Sequence, residues 1–333
     1  MGAVISVSNL CKTYTTYQRG ESFGETVKSL FVRKKTIIQA VKGISFDIAA
    51  GEIVGLLGPN GAGKSTTIKM LTGVLFPTSG EVHVMGFVPF RDRKHYVSHI
   101  GAVFGQKSQL IWDIPPLDSF ALNKAIYAIP DTAYRAQLDR MVDILGLGDV
   151  ITRPTRVLSL GERMKCEFVM SMLHKPQVVF LDEPTIGVDL IARESIHAFI
   201  REMNSEGVTF ILTTHNLEDV ERLAHRVIIV NHGEKVFEDS LAVLRRYLGD
   251  KKTVRVITKS PIPVPHGVFG RGVSLLELAG DKEVVLEVDN ALLPMNDFMS
   301  LLASLGELQD ISIKEVDVDK VIKAIYNELP HVT

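Results

Sequence analysis

Eight consecutive residues constrain this chain more than any others: Gly58-Pro59-Asn60-Gly61-Ala62-Gly63-Lys64-Ser65. They fit G-x-x-x-x-G-K-[ST], the phosphate-binding P-loop, a motif that needs a strand before it and a helix after it. Both are legible. Glu52 to Leu57 is a short apolar run of strand type, and Thr66 to Thr72 reads as a helix opening at the loop. Glycines let the backbone fold around phosphate oxygens without a Cβ clash, and successive N–H groups converge at the helix N-terminus. Lys64 is expected to reach the β- and γ-phosphates of a nucleotide, and the Ser65 hydroxyl to ligate Mg²⁺. The whole stretch from Gly58 through Thr66 is therefore the expected phosphate cradle.

Composition bounds the rest. A chain of 333 residues holds two domains, or one domain with a sizeable appendage. Its 37 basic and 39 acidic residues leave a net charge of −2, which gives no reason to expect a nucleic-acid partner. The two cysteines, Cys11 and Cys166, lie far apart without metal-ligand spacing. That usage fits a reduced compartment, with Cys166 a small buried hydrophobe. No apolar run approaches the length needed to span a bilayer, and the N-terminus lacks a basic n-region and long h-region. The expectation is a soluble chain that works at a membrane only if another chain supplies the membrane part.

Residues 3–10 alternate in strand fashion, as do 40–48. Between them an irregular, locally basic insert occupies about 15–38. Within it, Val27, Leu30 and Phe31 share a helical face, either against a membrane or packed on its own domain. Residues 117–147 read as helical, broken at Pro130-Asp131. Val178–Leu181, Thr209–Thr213 and Arg226–Val230 read as fully buried strands of a parallel sheet, with a helix from Arg193 to Met203 between the first two. After about residue 248 the texture changes to alternating strands with helical stretches at 292–305 and 317–328. The expected division is 1–247, with a helical lobe at about 107–170, and a small α+β domain at 248–333.

Asp182 and Glu183 end the apolar strand that begins at Val178. The first suits a Mg²⁺ shell and the second a base that polarises an attacking water. Further residues complete a recognisable order. Leu158-Ser159-Leu160-Gly161-Glu162 resembles the L-S-G-G-Q signature of the ABC (ATP-binding cassette) family. Gln106, Val188-Asp189 and His215 match that family's Q-loop, D-loop and switch histidine. Tyr14, or else Tyr17, matches its adenine-stacking aromatic. The resemblance covers roughly residues 4–240. It implies an α/β P-loop NTPase cassette: a parallel-sheet core, an antiparallel β subdomain and a helical lobe. It also implies ATP and Mg²⁺ as cofactors, with Ser65, Gln106 and Asp182 on the metal. Glu183 would be the base, and Lys64 and His215 would act at the γ-phosphate. Ser159, Gly161 and Glu162 would close on ATP held by a second copy. Leu160 and Glu162 depart from the signature, and the Glu162 carboxylate calls for a compensating cation such as Arg163 or one from a partner.

What the resemblance implies of the whole protein is an ATPase subunit that dimerises head to tail on ATP. It would drive transport, more in keeping with export than import, through separate permease subunits at the cytoplasmic face of the membrane. The segment Ser108–Pro116, with Trp112, is the expected docking surface. Roles in DNA repair or at the ribosome fit less well, because the chain has one cassette and no coiled-coil or cysteine-rich insertion.

Overall fold

In the computed structural model the described residues are 2–17, 35–105, 107–214, 217–246, 251–262, 271–304 and 307–315. Gln106, His215, the expected helix at 317–328 and the body of the basic insert at 18–34 lie outside them. The chain divides into two compact units, 1–238 and 239–333.

The first unit is built on three layers. Strands β1 (Ala3–Tyr17) and β2 (Lys35–Ala49) pair antiparallel from Ala3↔Ala49 to Tyr17↔Lys35. Both reach several residues into the segment expected to be insert. The β-branched and aromatic run Thr13-Tyr14-Thr15-Thr16-Tyr17 opposite Thr36-Ile37-Ile38 explains the extension. With β4 (Ser79–Val84) they form a three-stranded antiparallel sheet of order β2-β1-β4.

The main sheet has the order β5-β6-β7-β3-β8-β9. Its strands are β3 (Ile53–Leu57), β5 (Ile100–Phe104), β6 (Val178–Asp182), β7 (Thr209–Thr213), β8 (Arg226–Asn231) and β9 (Glu234–Ser240). The pairs β3–β7, β3–β8, β5–β6 and β6–β7 are parallel. All five residues of β3 and of β7 are buried, as expected of parallel strands covered on both faces. Ile5, Val7, Leu10 and Val82 of the small sheet join Val54, Ile68, Phe180 and Ile228 in one core. At the outer end of β8, Arg226 clasps Glu52 (Nε to Oε1, 2.6 Å) and Glu238 (Nη1 to Oε1, 2.6 Å).

The helices are α1 (Lys64–Leu71), α2 (Arg93–Tyr96), α3 (Pro116–Ile126), α4 (Asp131–Leu145), α5 (Leu160–Met172), α6 (Leu190–Ser205) and α7 (Leu217–Leu223). Pro130-Asp131 separates α3 from α4 as the sequence suggests, because a proline favours an extended residue before it and a helix start after it. Among the described residues no helix is long and apolar enough to cross a bilayer.

The second unit begins nine residues before the expected boundary and takes in α8 (Leu241–Arg246). Strands β10 (Lys251–Thr258), β11 (Val273–Leu278), β12 (Glu283–Asp289) and β13 (Leu308–Glu315) form an antiparallel sheet of order β11-β12-β10-β13. Helix α9 (Met295–Ser304) contributes Phe298 and Leu302 to a core shared with Val254, Val256, Val284, Leu286 and Val288.

Candidate nucleotide site

The loop from Gly58 to Gly63 leaves the C-terminal end of the central strand β3 and turns directly into α1. Its shape depends on missing side chains. A Cβ at Gly58 would stand 2.3 Å from the Val230 carbonyl oxygen. One at Gly63, where φ is +107°, would stand 2.5 Å from that of Ala40. The loop is pinned by Ala62 N–H donating to Pro59 O (3.1 Å) and Gly233 N–H donating to Ala62 O (3.0 Å). Lys64 is buried and folds back over the loop, its ammonium donating to the carbonyls of Gly58 (2.6 Å) and Pro59 (3.1 Å). Burial lowers its pKa, and the charges of Glu183 and Asp182 oppose that shift. A cavity of about 150 Å³ lies here, lined by residues 60–66, Ala40 and Glu183. Tyr14 and the signature residues 159–162 are not part of that lining, and Tyr14 is exposed in β1.

Asp182 ends β6 beside the loop. Its Oδ1 accepts from Ser65 Oγ (3.0 Å) and from Thr213 Oγ1 (2.5 Å), which joins the ends of β6 and β7 to the start of α1. Glu183 follows with φ +53°, its N–H held by the Thr213 carbonyl (3.0 Å) and hydroxyl (3.2 Å). The segment preceding Gln106 is locked to the same place. Gly105 N–H donates to Asp182 O (2.9 Å), and a Cβ at Gly105 would fall 2.1 Å from the Glu183 carbonyl oxygen. Thr213 and Gly105 were not singled out from the sequence. Their partners lie far along the chain, and only the neighbourhood of Gln106 and His215 hinted at them.

Behind this face sits a buried network that the sequence did not suggest. Asp219 on α7 accepts from Thr185 Oγ1 (2.5 Å) and Thr214 Oγ1 (3.3 Å), and pairs with His197 Nε2 of α6 (2.9 Å). Burial opposes the charge on Asp219, yet the hydrogen bonds from His197 and Thr185 hold its carboxyl below the usual range. The residue two positions after Glu183 is thereby tied to the one just before His215.

The signature segment starts a helix. Ser159 caps α5, accepting from Glu162 N–H (3.1 Å), while Glu162 Oε2 accepts from Ser159 N–H (2.8 Å): a capping box. The compensating cation for Glu162 is Arg153 (2.5 Å) rather than Arg163. The Ser159 N–H bond, then the Arg153 contact, hold the Glu162 carboxyl below its ordinary range although burial opposes this. Arg163 instead lies over the ring of Trp112, 5.6 Å from its centre. Gly161 is pressed against the Val188-Asp189 turn, where a Cβ would meet Ala192 Cβ at 2.6 Å and Asp189 Oδ2 at 2.9 Å. Asp189 itself caps α6 through Ala192 N–H (3.0 Å). Leu160 reaches toward Gly187, whose Cβ would stand 3.1 Å from Leu160 Cδ2, so the departure at the third signature position packs on the D-loop.

A groove of about 130 Å³ opens along β5, with Val74, Phe104, Gln109, Asn123, Tyr127 and His174 among its walls. Trp112 does not line it and is half exposed, so it belongs neither to this groove nor to the core. Cys166 is fully buried and its thiol is pushed up to about 12, foremost by burial, as an inert core thiol should be.

Known proteins share this arrangement. The sequence pattern of the ABC transporter family matches residues 41–186. The daunorubicin resistance ATP-binding protein DrrA3 of Streptomyces coeruleorubidus is 30% identical over 283 residues, 84% of this chain and 86% of that one. That alignment is longer than the first unit and so reaches into the second. The ABC transporter ATP-binding protein NatA of Bacillus subtilis is 29% identical over 214 residues, 64% of this chain and 87% of its own. The dimeric structure of a bacterial ABC transporter cassette superposes with a TM-score of 0.59 at 25% identity, covering 71% of this chain and 98% of that one. With the P-loop, the strand-end carboxylates and the capped signature helix in one unit, the chain belongs to the ATP-binding, ATP-hydrolysing subunits of ABC transporters.

Proposed function

We propose that ATP binds in the Lys64–Ser65 cavity, is hydrolysed with Glu183 as base, and is closed over by the signature of a second copy of this chain. The observation that carries the reading is the convergence of Ser65 and Asp182 at 3.0 Å beside a cavity that Glu183 lines. Lys64 and the loop N–H groups would take the β- and γ-phosphates. Magnesium is ordinarily held by one or two protein oxygens plus substrate phosphates, and the Ser65 hydroxyl with the Asp182 carboxylate is such a pair. The cation would offset phosphate charge there. Glu183, its backbone fixed by Thr213, would accept a proton from the attacking water. Gln106 and His215 are assigned to this site from the sequence, as metal-shell ligand and γ-phosphate contact.

Tyr14 would stack on adenine from the exposed face of β1. Ser159, Gly161 and Glu162 do not line the cavity of their own chain, which supports their use on a second subunit's nucleotide. Dimer closure would then depend on the γ-phosphate and be released by hydrolysis, a population shift between two states.

The groove along β5 is the proposed seat of a permease segment, which would hold the protein at the cytoplasmic face of the membrane as a peripheral subunit. Export is the proposed direction, supported by the alignment with DrrA3, which is named for daunorubicin resistance and extends past the cassette. The test is Glu183→Gln followed by light scattering with and without Mg-ATP. A dimer that forms only with ATP and persists for hours is the expected result. Normal turnover in Glu183→Gln would overturn the assignment of the base. Capture of a multi-spanning partner from solubilised membranes, with a changed ATPase rate, would establish the transport coupling.

A further inference from the structure

Helix α5 carries one carboxylate in the middle of its apolar face. Glu167 is 2% exposed, flanked by Cys166 and Phe168, both fully buried. An ionisable group in such a place is costly unless every oxygen is engaged. Here the partners all come from one short segment on the far side of Gln106. Ser108 Oγ donates to Glu167 Oε1 (2.5 Å), Gln109 N–H donates to Oε1 (3.0 Å) and Oε2 (3.2 Å), and Leu110 N–H approaches Oε1 at 3.5 Å. The segment is also fastened to β5, since Gln109 Nε2 donates to Ala102 O (2.6 Å). The C-terminal end of β5 leads into Gly105, whose N–H donates to the Asp182 carbonyl.

We propose that Glu167 is a positioning residue of the ATPase cycle, a strut that makes the segment 108–110 and the signature helix move as one body. A displacement at the Asp182–Glu183 corner would pass through Gly105 and the 108–110 segment to Glu167. From there it would pass down α5 to the cap at Ser159. Packing does not require the carboxylate, because a methionine or leucine would fill the same volume with less desolvation. What a carboxylate alone supplies is several acceptor sites for converging backbone and hydroxyl donors. The inference rests on ATP binding at the P-loop cavity, and the experiment separates the two.

The chain's single tryptophan supplies the readout. Trp112 follows the strut segment by two residues and lies under Arg163 of α5, so its emission reports their relation. The measurement uses the full chain with Glu183→Gln, and records Trp112 emission, Mg-ATP affinity by calorimetry, and ATP-driven dimerisation. Glu167→Gln keeps the shape but turns an amide NH₂ toward N–H donors. The expected result is an emission change on Mg-ATP in the parent that is lost in Glu167→Gln. ATP affinity should stay within about threefold, while dimerisation weakens by about tenfold, the size of an ordinary coupling between sites. Ser108→Ala, which removes only one donor, should show the same pattern in smaller degree and carries the test if Glu167→Gln does not fold. An unchanged emission response and dimerisation in both variants would overturn the proposal, as would a parent whose emission ignores Mg-ATP. Loss of ATP affinity in parallel with the other two would reduce Glu167 to a structural role. No ATP binding in the parent would instead remove the nucleotide reading beneath it.

Discussion

A methyl group at position 105 would stand 2.1 Å from the Glu183 carbonyl oxygen, closer than any real Cβ contact, and the obstacle is backbone rather than a movable side chain. Gly105→Ala should therefore displace Glu183 or break the Gly105–Asp182 hydrogen bond. The expected outcome is an ATPase rate down by about 10²-fold or more, since misplacement of about 1 Å costs that much. Far-ultraviolet circular dichroism should remain that of the parent. Charge matters at Glu162. Its folded-state pKa is depressed by the Ser159 N–H and Arg153, so its contribution is complete above the unfolded value of about 4.5 and is lost as pH falls through the lower folded value. Melting temperatures of the parent and Glu162→Gln should thus differ at pH 7 and converge toward pH 3. The P-loop, Asp182 and Glu183 were legible because each motif is contiguous. Gly105, Thr213 and Asp219 were not, because Glu183, Asp182 and His197, which they meet, are 78, 31 and 22 residues away in sequence and register decides the meeting. The Ser159–Glu162 box has the S-x-x-E pattern of a helix start, which coincides with the signature.

At the level of elements, the site is held by strand ends and helix starts. Thr213 and Asp182 join β7 to β6, Ser65 brings in α1, and Asp219 ties α6 and α7 to the turn after Glu183. Asp219→Ala would leave His197 and Thr185 buried without their acceptor. Leaving buried donors without their acceptor costs about 1–3 kcal/mol, and urea unfolding should show it as a lower midpoint at unchanged slope. The ATPase rate per folded molecule should fall as well, since the turns flanking Glu183 and His215 lose their common anchor. Element existence was readable from apolar runs and from Pro130, whereas the true lengths of β1 and β2 were not. Their distal halves are two-sided ribbon with exposed Ile37 and Ile38, and such segments carry no burial pattern to mark them as strand.

Among the described residues, the core beneath the small sheet and the core of the second unit are drawn from separate stretches of sequence. Phe298 is fully buried and belongs to the second of these. Phe298→Ala should cost that unit about 3–5 kcal/mol. Hydrogen exchange should show lost protection across 251–315 with ATP affinity at the parent level. The second unit starts nine residues before the change of texture near residue 248. That start falls inside β9, the outermost strand of the main sheet, and the last residue before it is Glu238 in the grip of Arg226. Tension transmitted through the second unit therefore enters the first at the edge of its sheet. The β8–β9 hairpin would open like a zipper, one rung at a time from the Arg226 clasp, at low force and with the phosphate loop still seated on β3. Optical-tweezer traces should record that small early extension ahead of the large rip of the main sheet.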